Sequence, residues 1–170
     1  MATPNIVPRS DSEGGLGTAA KYWASAYIDA VNAATYNGIP FYSDVTNNSM
    51  YTHDVSATDS TAADNTAYGF AAMDAITTGD NNVAIGSGAA SGLTTGFDNV
   101  AIGKGALASS STGAYNTAVG NLSMASGNLT GANNVGFGYY SGRVLSGGAN
   151  NVLLGAYTGS NLTVGSSNVA

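Results

Sequence analysis

Asn82-Val83-Ala84-Ile85-Gly86 returns 17 residues later as Asn99-Val100-Ala101-Ile102-Gly103. The phrase extends in both directions. Upstream stands Asn65-Thr66-Ala67-Tyr68-Gly69; downstream come Asn116-Thr117-Ala118-Val119-Gly120, Asn134-Val135-Gly136-Phe137-Gly138 and Asn151-Val152-Leu153-Leu154-Gly155. Asn168-Val169-Ala170 opens a further copy. The period is 17 residues, with one 18-residue step from Asn116 to Asn134. A second glycine keeps the same beat at Gly79, Gly96, Gly113, Gly131, Gly148 and Gly165. A fixed period of this size identifies a solenoid, in which each repeat is one structural rung resting on its neighbours.

The rung reads as β. Its apolar residues include β-branched and aromatic types, and residues 65–170 carry no 3.6-residue periodicity. Two regular turns within 17 residues leave space for two strands of about five residues each. The first glycine ends the strand that follows Asn, where a tight corner calls for positive φ, and the second, three residues before the next Asn, is expected to mark a second corner. Rungs stacked about 4.8 Å apart make a rod about 30 Å long from six of them. Residues 61–170 are therefore expected to form the repeat domain, and residues 1–60 a separate irregular region.

Two columns of side chains are candidates for holding the rod together. The fourth residue of the phrase is always large and apolar: Tyr68, Ile85, Ile102, Val119, Phe137 and Leu154. These are expected to point inward. The leading asparagines Asn65, Asn82, Asn99, Asn116, Asn134 and Asn151 admit two readings. Asn suits left-handed turn geometry; alternatively its amide bonds to the same residue one rung away, as in cross-β asparagine ladders.

Composition narrows the function. Charged residues are 8% of the chain and the net charge is −6, with only four Lys and Arg, so the electrostatic footprint of a nucleic-acid binder is missing. No stretch of 18 apolar residues suggests membrane insertion. The opening Met1-Ala2-Thr3-Pro4-Asn5-Ile6-Val7-Pro8 lacks the charged and apolar regions of a secretory signal. Each rung carries only one or two large apolar side chains, too few for a robust monomeric core, so oligomerisation is expected.

The search for catalytic chemistry is negative. His53 is the single histidine and there is no cysteine. Fragments such as Gly86-Ser87-Gly88 recur because the rung recurs, and none opens a helix after a strand. No constellation for acid–base, nucleophilic or metal catalysis emerges, and no cofactor, metal or catalytic residue is expected.

The non-repeating region begins with Pro4, Pro8 and several glycines. The run Lys21 to Val31 admits a helical turn followed by a strand. Tyr36-Asn37-Gly38-Ile39 is a turn signal of the Asn-Gly type, and Met50-Tyr51-Thr52 reads as a short strand. Trp23, Tyr27 and Ile28 form the candidate anchor of an attachment module; the plainer role for the region is a cap over the first rung. Tyr139, Tyr140, Arg143 and Tyr157 would make a glycan-stacking surface if exposed, with rung filling as the competing role.

The repeated Asn-Val-Ala-Ile-Gly resembles the head repeats of trimeric autotransporter adhesins. The longer version here, Thr77 to Gly86 with Gly103-Lys104-Gly105-Ala106-Leu107, is more similar to repeats of bacteriophage tail fibres. Ile6 to Asp11 with Gly15 to Trp23 also resembles the N-termini of fibres from marine and cyanobacterial viruses. The resemblance implies an all-β solenoid, a homotrimeric left-handed parallel β-roll with a small irregular N-terminal region. It further implies a virion structural protein, a tail or head fibre whose partners are its own copies, other tail or portal-adaptor proteins and a host cell-surface receptor. A bacterial trimeric surface adhesin is the alternative.

Overall fold

The computed structural model describes Thr35–Tyr36, Ile39–Pro40, Tyr42–Asp44, Ser49–Tyr51 and residues 61–170. Every regular element among them is a strand. β1 (Thr35–Tyr36) and β2 (Ile39–Pro40) pair antiparallel with Tyr36 opposite Ile39, as the Asn-Gly signal between them predicts. β3 (Tyr42–Asp44) pairs antiparallel with β4 (Ser49–Tyr51), which covers most of the strand expected around Met50.

From β4 onward the chain is a parallel β-solenoid. β5 (Thr66–Tyr68), β6 (Val83–Ile85), β7 (Val100–Ile102), β8 (Thr117–Val119), β9 (Val135–Phe137) and β10 (Val152–Leu154) stack in sequence order. Like pairs with like: Val83 opposes Val100, Ala84 opposes Ala101 and Ile85 opposes Ile102. The 18-residue step leaves this register intact, since Thr117, Ala118 and Val119 oppose Val135, Gly136 and Phe137. A bridge from Val152 to Val169 starts the next rung. The sheet reaches back to β3, upstream of the expected boundary at residue 60.

Each rung holds one three-residue strand where two longer ones were expected. The cause lies in the corners. Ala90, Leu107 and Met124 have left-handed backbones, as do Asn81, Asp98 and Tyr115 immediately before each Asn. These single residues interrupt extended geometry on the other sides of the rung. Rung-to-rung hydrogen bonding continues there regardless: Met73 N–H donates to Ala89 O at 2.9 Å and Ala90 N–H to Ala106 O at 2.8 Å.

The glycine of the repeated phrase sits at φ between +121° and +143° in every rung. A Cβ on Gly103 would come within 2.6 Å of the Gly120 carbonyl oxygen and 2.7 Å of its carbon. Both the corner and the closeness of successive backbones therefore exclude any side chain. The second glycine has ordinary φ, yet a Cβ on Gly79 would collide with the Gly96 carbonyl oxygen. It is required for close stacking alone.

The interior corrects the inward column. In each phrase the first and third residues are buried and the fourth faces outward. Tyr68, Ile85, Ile102, Phe137 and Leu154 are between 37% and 59% exposed, and Val119 is half-buried. Strand alternation forces this: once the Asn points in, the third residue follows it and the fourth cannot. The space inside is narrow, so the third residue is Ala67, Ala84, Ala101, Ala118 or Gly136, enlarging only to Leu153. Near Leu153 the opposing corners shrink to Gly142 and Gly159, where a Cβ would meet its side chain at 2.8 Å. Apolar bulk comes from the far side of the rung, from Ile76, Leu93, Leu129 and Leu145, all fully buried. Each contributes roughly 2 kcal/mol by leaving water.

Candidate functional site

Three features organise what this roll can do: an internal polar ladder, an outer apolar row and one aromatic corner.

The asparagines form the ladder. Asn99 Nδ2 donates to Asn82 Oδ1 at 3.0 Å and to Gly113 O of its own rung at 2.8 Å. Its Oδ1 accepts the backbone N–H of Asn116 at 2.9 Å. The same pattern joins Asn65 to Asn82, Asn116 to Asn134, Asn134 to Asn151 and Asn151 to Asn168. Between Asn99 and Asn116 only the backbone–amide bond is made. All six leading asparagines are essentially fully buried, so each amide must be satisfied internally. Only a short side chain with both donor and acceptor does this. Aspartate lacks the donor, serine the reach. Stacked-ladder geometry is what the structure selects, and the left-handed position falls one residue earlier.

The outer row is the other face of the same strands. The second residues Thr66, Val83, Val100, Thr117, Val135 and Val152 are half-buried beside the exposed fourth residues. Because identical positions stack in register, these side chains run unbroken along the roll from β5 to β10. A contiguous apolar strip of this kind on a protein surface marks an interaction face.

The aromatic corner lies on the last two rungs. Tyr140 and Tyr157 occupy equivalent positions and stack with centroids 5.7 Å apart and planes 11° from parallel. Tyr139 sets its edge against both, at 4.2 Å and 5.3 Å. The Arg143 guanidinium lies 5.1 Å from the Tyr140 ring centre, within cation–π range. Hydrogen bonding to Tyr140, reinforced by desolvation and the charges Tyr140 and Tyr157 would carry, pushes the Tyr139 phenol up to about 12. The sequence brings Tyr139, Tyr140, Arg143 and Tyr157 to notice, and the structure gathers them. Sequence reading missed their neighbours Val144, Ser160 and Asn161, which line a cleft beside them. The signal was available, because Ser160 and Asn161 stand 17 residues after Arg143 and Val144. It also missed the exposed edge-to-face pair Phe97–Tyr115, with centroids 5.1 Å apart.

Trp23, Tyr27 and Ile28, the candidate anchor, and His53 lie outside the described residues. Among the described residues no group of three or more His, Cys, Asp or Glu is placed to hold a metal ion. No described helix is long and apolar enough to cross a membrane. The fold and its repeats define a parallel β-solenoid repeat protein. Comparison of the chain with protein-family models, with curated proteins and with solved structures gave no match.

Proposed function

We propose that this chain is a virion structural protein, a phage tail or head fibre that works as a homotrimer. Its β-roll, left-handed in this reading, projects toward the host surface, and residues 1–60 fasten it to the particle through Trp23, Tyr27 and Ile28. The reading rests on the resemblance of the repeat and of the opening segment to fibre proteins. The outer apolar row is the structural observation that favours it. A narrow roll that leaves Tyr68, Ile85, Ile102, Phe137 and Leu154 in water gains by placing that row against two other copies, where the large side chains meet around a common axis. On the strand side the interior is taken up by alanines and the asparagine ladder, which leave little room for them.

Two measurements test the proposal. Sedimentation at micromolar concentration is expected to give a trimer with little folded monomer; a stable folded monomer would overturn the assembly. Ile102→Asp places a carboxylate in each of three apposed rows, and is expected to abolish soluble trimer because unpaired charges in a packed interface are very costly. Lys104→Asp, on an exposed corner two residues away, should leave the trimer intact. Equal effects from the two changes would show that the row is not the contact.

Attachment is tested by transplantation. Residues 1–60 fused to an unrelated trimeric rod should carry that rod onto purified particles. If intact fibre is found on particles and the fusion is not, residues 1–60 act only as a cap.

A further inference from the structure

Tyr140 and Tyr157 both have left-handed backbones, with φ of 58° and 60°. A bulky residue in that region is strained by roughly 1–2 kcal/mol relative to glycine. The fold does not demand tyrosine there. The equivalent corner is Gly88 in the second rung and Gly105 in the third, with φ of 68° and 65°, and a Cβ on Gly88 would meet nothing within 4 Å. The roll therefore tolerates a bare corner, and the last two described rungs carry a strained aromatic wall instead.

That wall borders a cleft of about 260 Å³ lined by Tyr140, Arg143, Val144, Tyr157, Ser160 and Asn161. The volume lies just below the roughly 300 Å³ at which drug-sized pockets begin, so it suits a single ring. Its chemistry is mixed: an apolar aromatic wall, a hydroxyl, an amide and one guanidinium. Among the described residues no carboxylate lies close to Arg143. No Asp or Glu follows Asp98 in the sequence, and Asp98 lies more than two rungs down the roll, beyond about 10 Å. Among the described residues, Arg143 is therefore the charged group of the cleft, and its charge is positive. Arg143 is half-buried against Tyr140, where a guanidinium is held ready for a planar two-oxygen partner.

The geometry points to a saccharide-binding cleft at this corner, taking a pyranoside that bears a carboxylate. The C–H face of a sugar ring is apolar and lies flat against a tyrosine, as other apolar rings do. Ser160 and Asn161 offer hydroxyl-matching donors and acceptors, and Arg143 receives the acid. A neutral sugar would keep the stacking and lose the charge-assisted bond.

The test uses the full chain, titrated calorimetrically at low salt with alginate oligosaccharide, a polyuronate, and with dextran oligosaccharide, a neutral glucan. The polyuronate should bind roughly tenfold tighter or more, the worth of a charge-assisted hydrogen bond. Tyr140→Gly combined with Tyr157→Gly restores the bare corner of Gly88 and Gly105 and should remove binding of both probes. Arg143→Gln should lower polyuronate binding to the dextran level. No polyuronate binding by the parent chain, or unchanged binding in either variant, overturns the site; equal affinity for the two probes overturns the acidic class. Sedimentation of the same samples reads assembly separately, so failure of the trimer and failure of the cleft are distinguishable.

Discussion

Asn99→Leu is expected to lower the stability of the roll by about 2–6 kcal/mol, because it strands buried polar groups on two rungs at once. The native side chain satisfies Asn82 Oδ1, Gly113 O and the Asn116 N–H. Leucine fills similar space and leaves Gly113 O and the Asn116 N–H without a partner, while Asn82 Oδ1 keeps only the backbone N–H of residue 99 at 3.0 Å. Each orphaned buried group costs about 1–3 kcal/mol, and the hydrophobic gain is small where the cavity was shaped for an amide. Asn99→Asp should be at least as damaging. It preserves the acceptor for Asn116 and turns the donor into a second acceptor facing Gly113 O, at the cost of a buried charge or a displaced proton. Asn121→Ala, at an exposed corner position, is the control and should stay within about 0.5 kcal/mol. Thermal unfolding followed by circular dichroism decides the matter. A loss below about 1 kcal/mol for Asn99→Leu would mean that the ladder is incidental to stability.

Gly103→Ala should be comparably severe, by about 3–5 kcal/mol, for a different reason. A methyl group there meets backbone carbon and oxygen of Gly120, which cannot swing aside as a side-chain end can. The residue also sits at φ +125°, a region that L side chains rarely enter. Relief requires the rungs to separate locally, which loosens the ladder and the strand pairing together. Gly88→Ala offers the matched comparison. It too has positive φ, yet its methyl would find open space, and Ala71 already occupies the equivalent corner of the first rung. A cost near 1 kcal/mol is expected. If the two alanines destabilise equally, backbone contact between rungs is not what the repeated glycine serves.

The two predictions separate what repeats into causes. The phrase Asn-x-x-x-Gly is held at its ends by requirements that involve the neighbouring rung: an amide that must both give and accept, and a backbone that must approach within contact distance. Those requirements leave a direct trace in sequence, because nothing else fits. The three residues between them answer to packing, where volume matters more than identity, so Ala101 can become Gly136 or Leu153 when the opposite corner adjusts.

The amino-acid sequence by itself determined the solenoid, the β character of the rung, the glycine that ends the strand and the asparagine positions, whereas the second glycine, read as another corner, has ordinary φ and serves close stacking. Each of these depends on interactions repeated at one spacing, and 17-residue periodicity states them plainly. Tertiary structure decided which side of the strand faces in. Three residues alternate only once, so Val83-Ala84-Ile85 fits either orientation equally well on pattern alone. The rule that large apolar residues seek the interior pointed to Ile85 and Ile102. Burial of the Asn amide reversed it, since alternation then carries Ala84 and Ala101 inward and leaves their large neighbours on the surface. The second strand of the rung was lost for a related reason: left-handed backbones at Ala90, Leu107 and Met124 are adopted by ordinary residues, and a glycine marks that corner only in the last two rungs, at Gly142 and Gly159. The same stacking that hid these features brought Tyr140, Arg143 and Tyr157 together, because residues 17 apart in the chain are adjacent only once the rungs lie on one another.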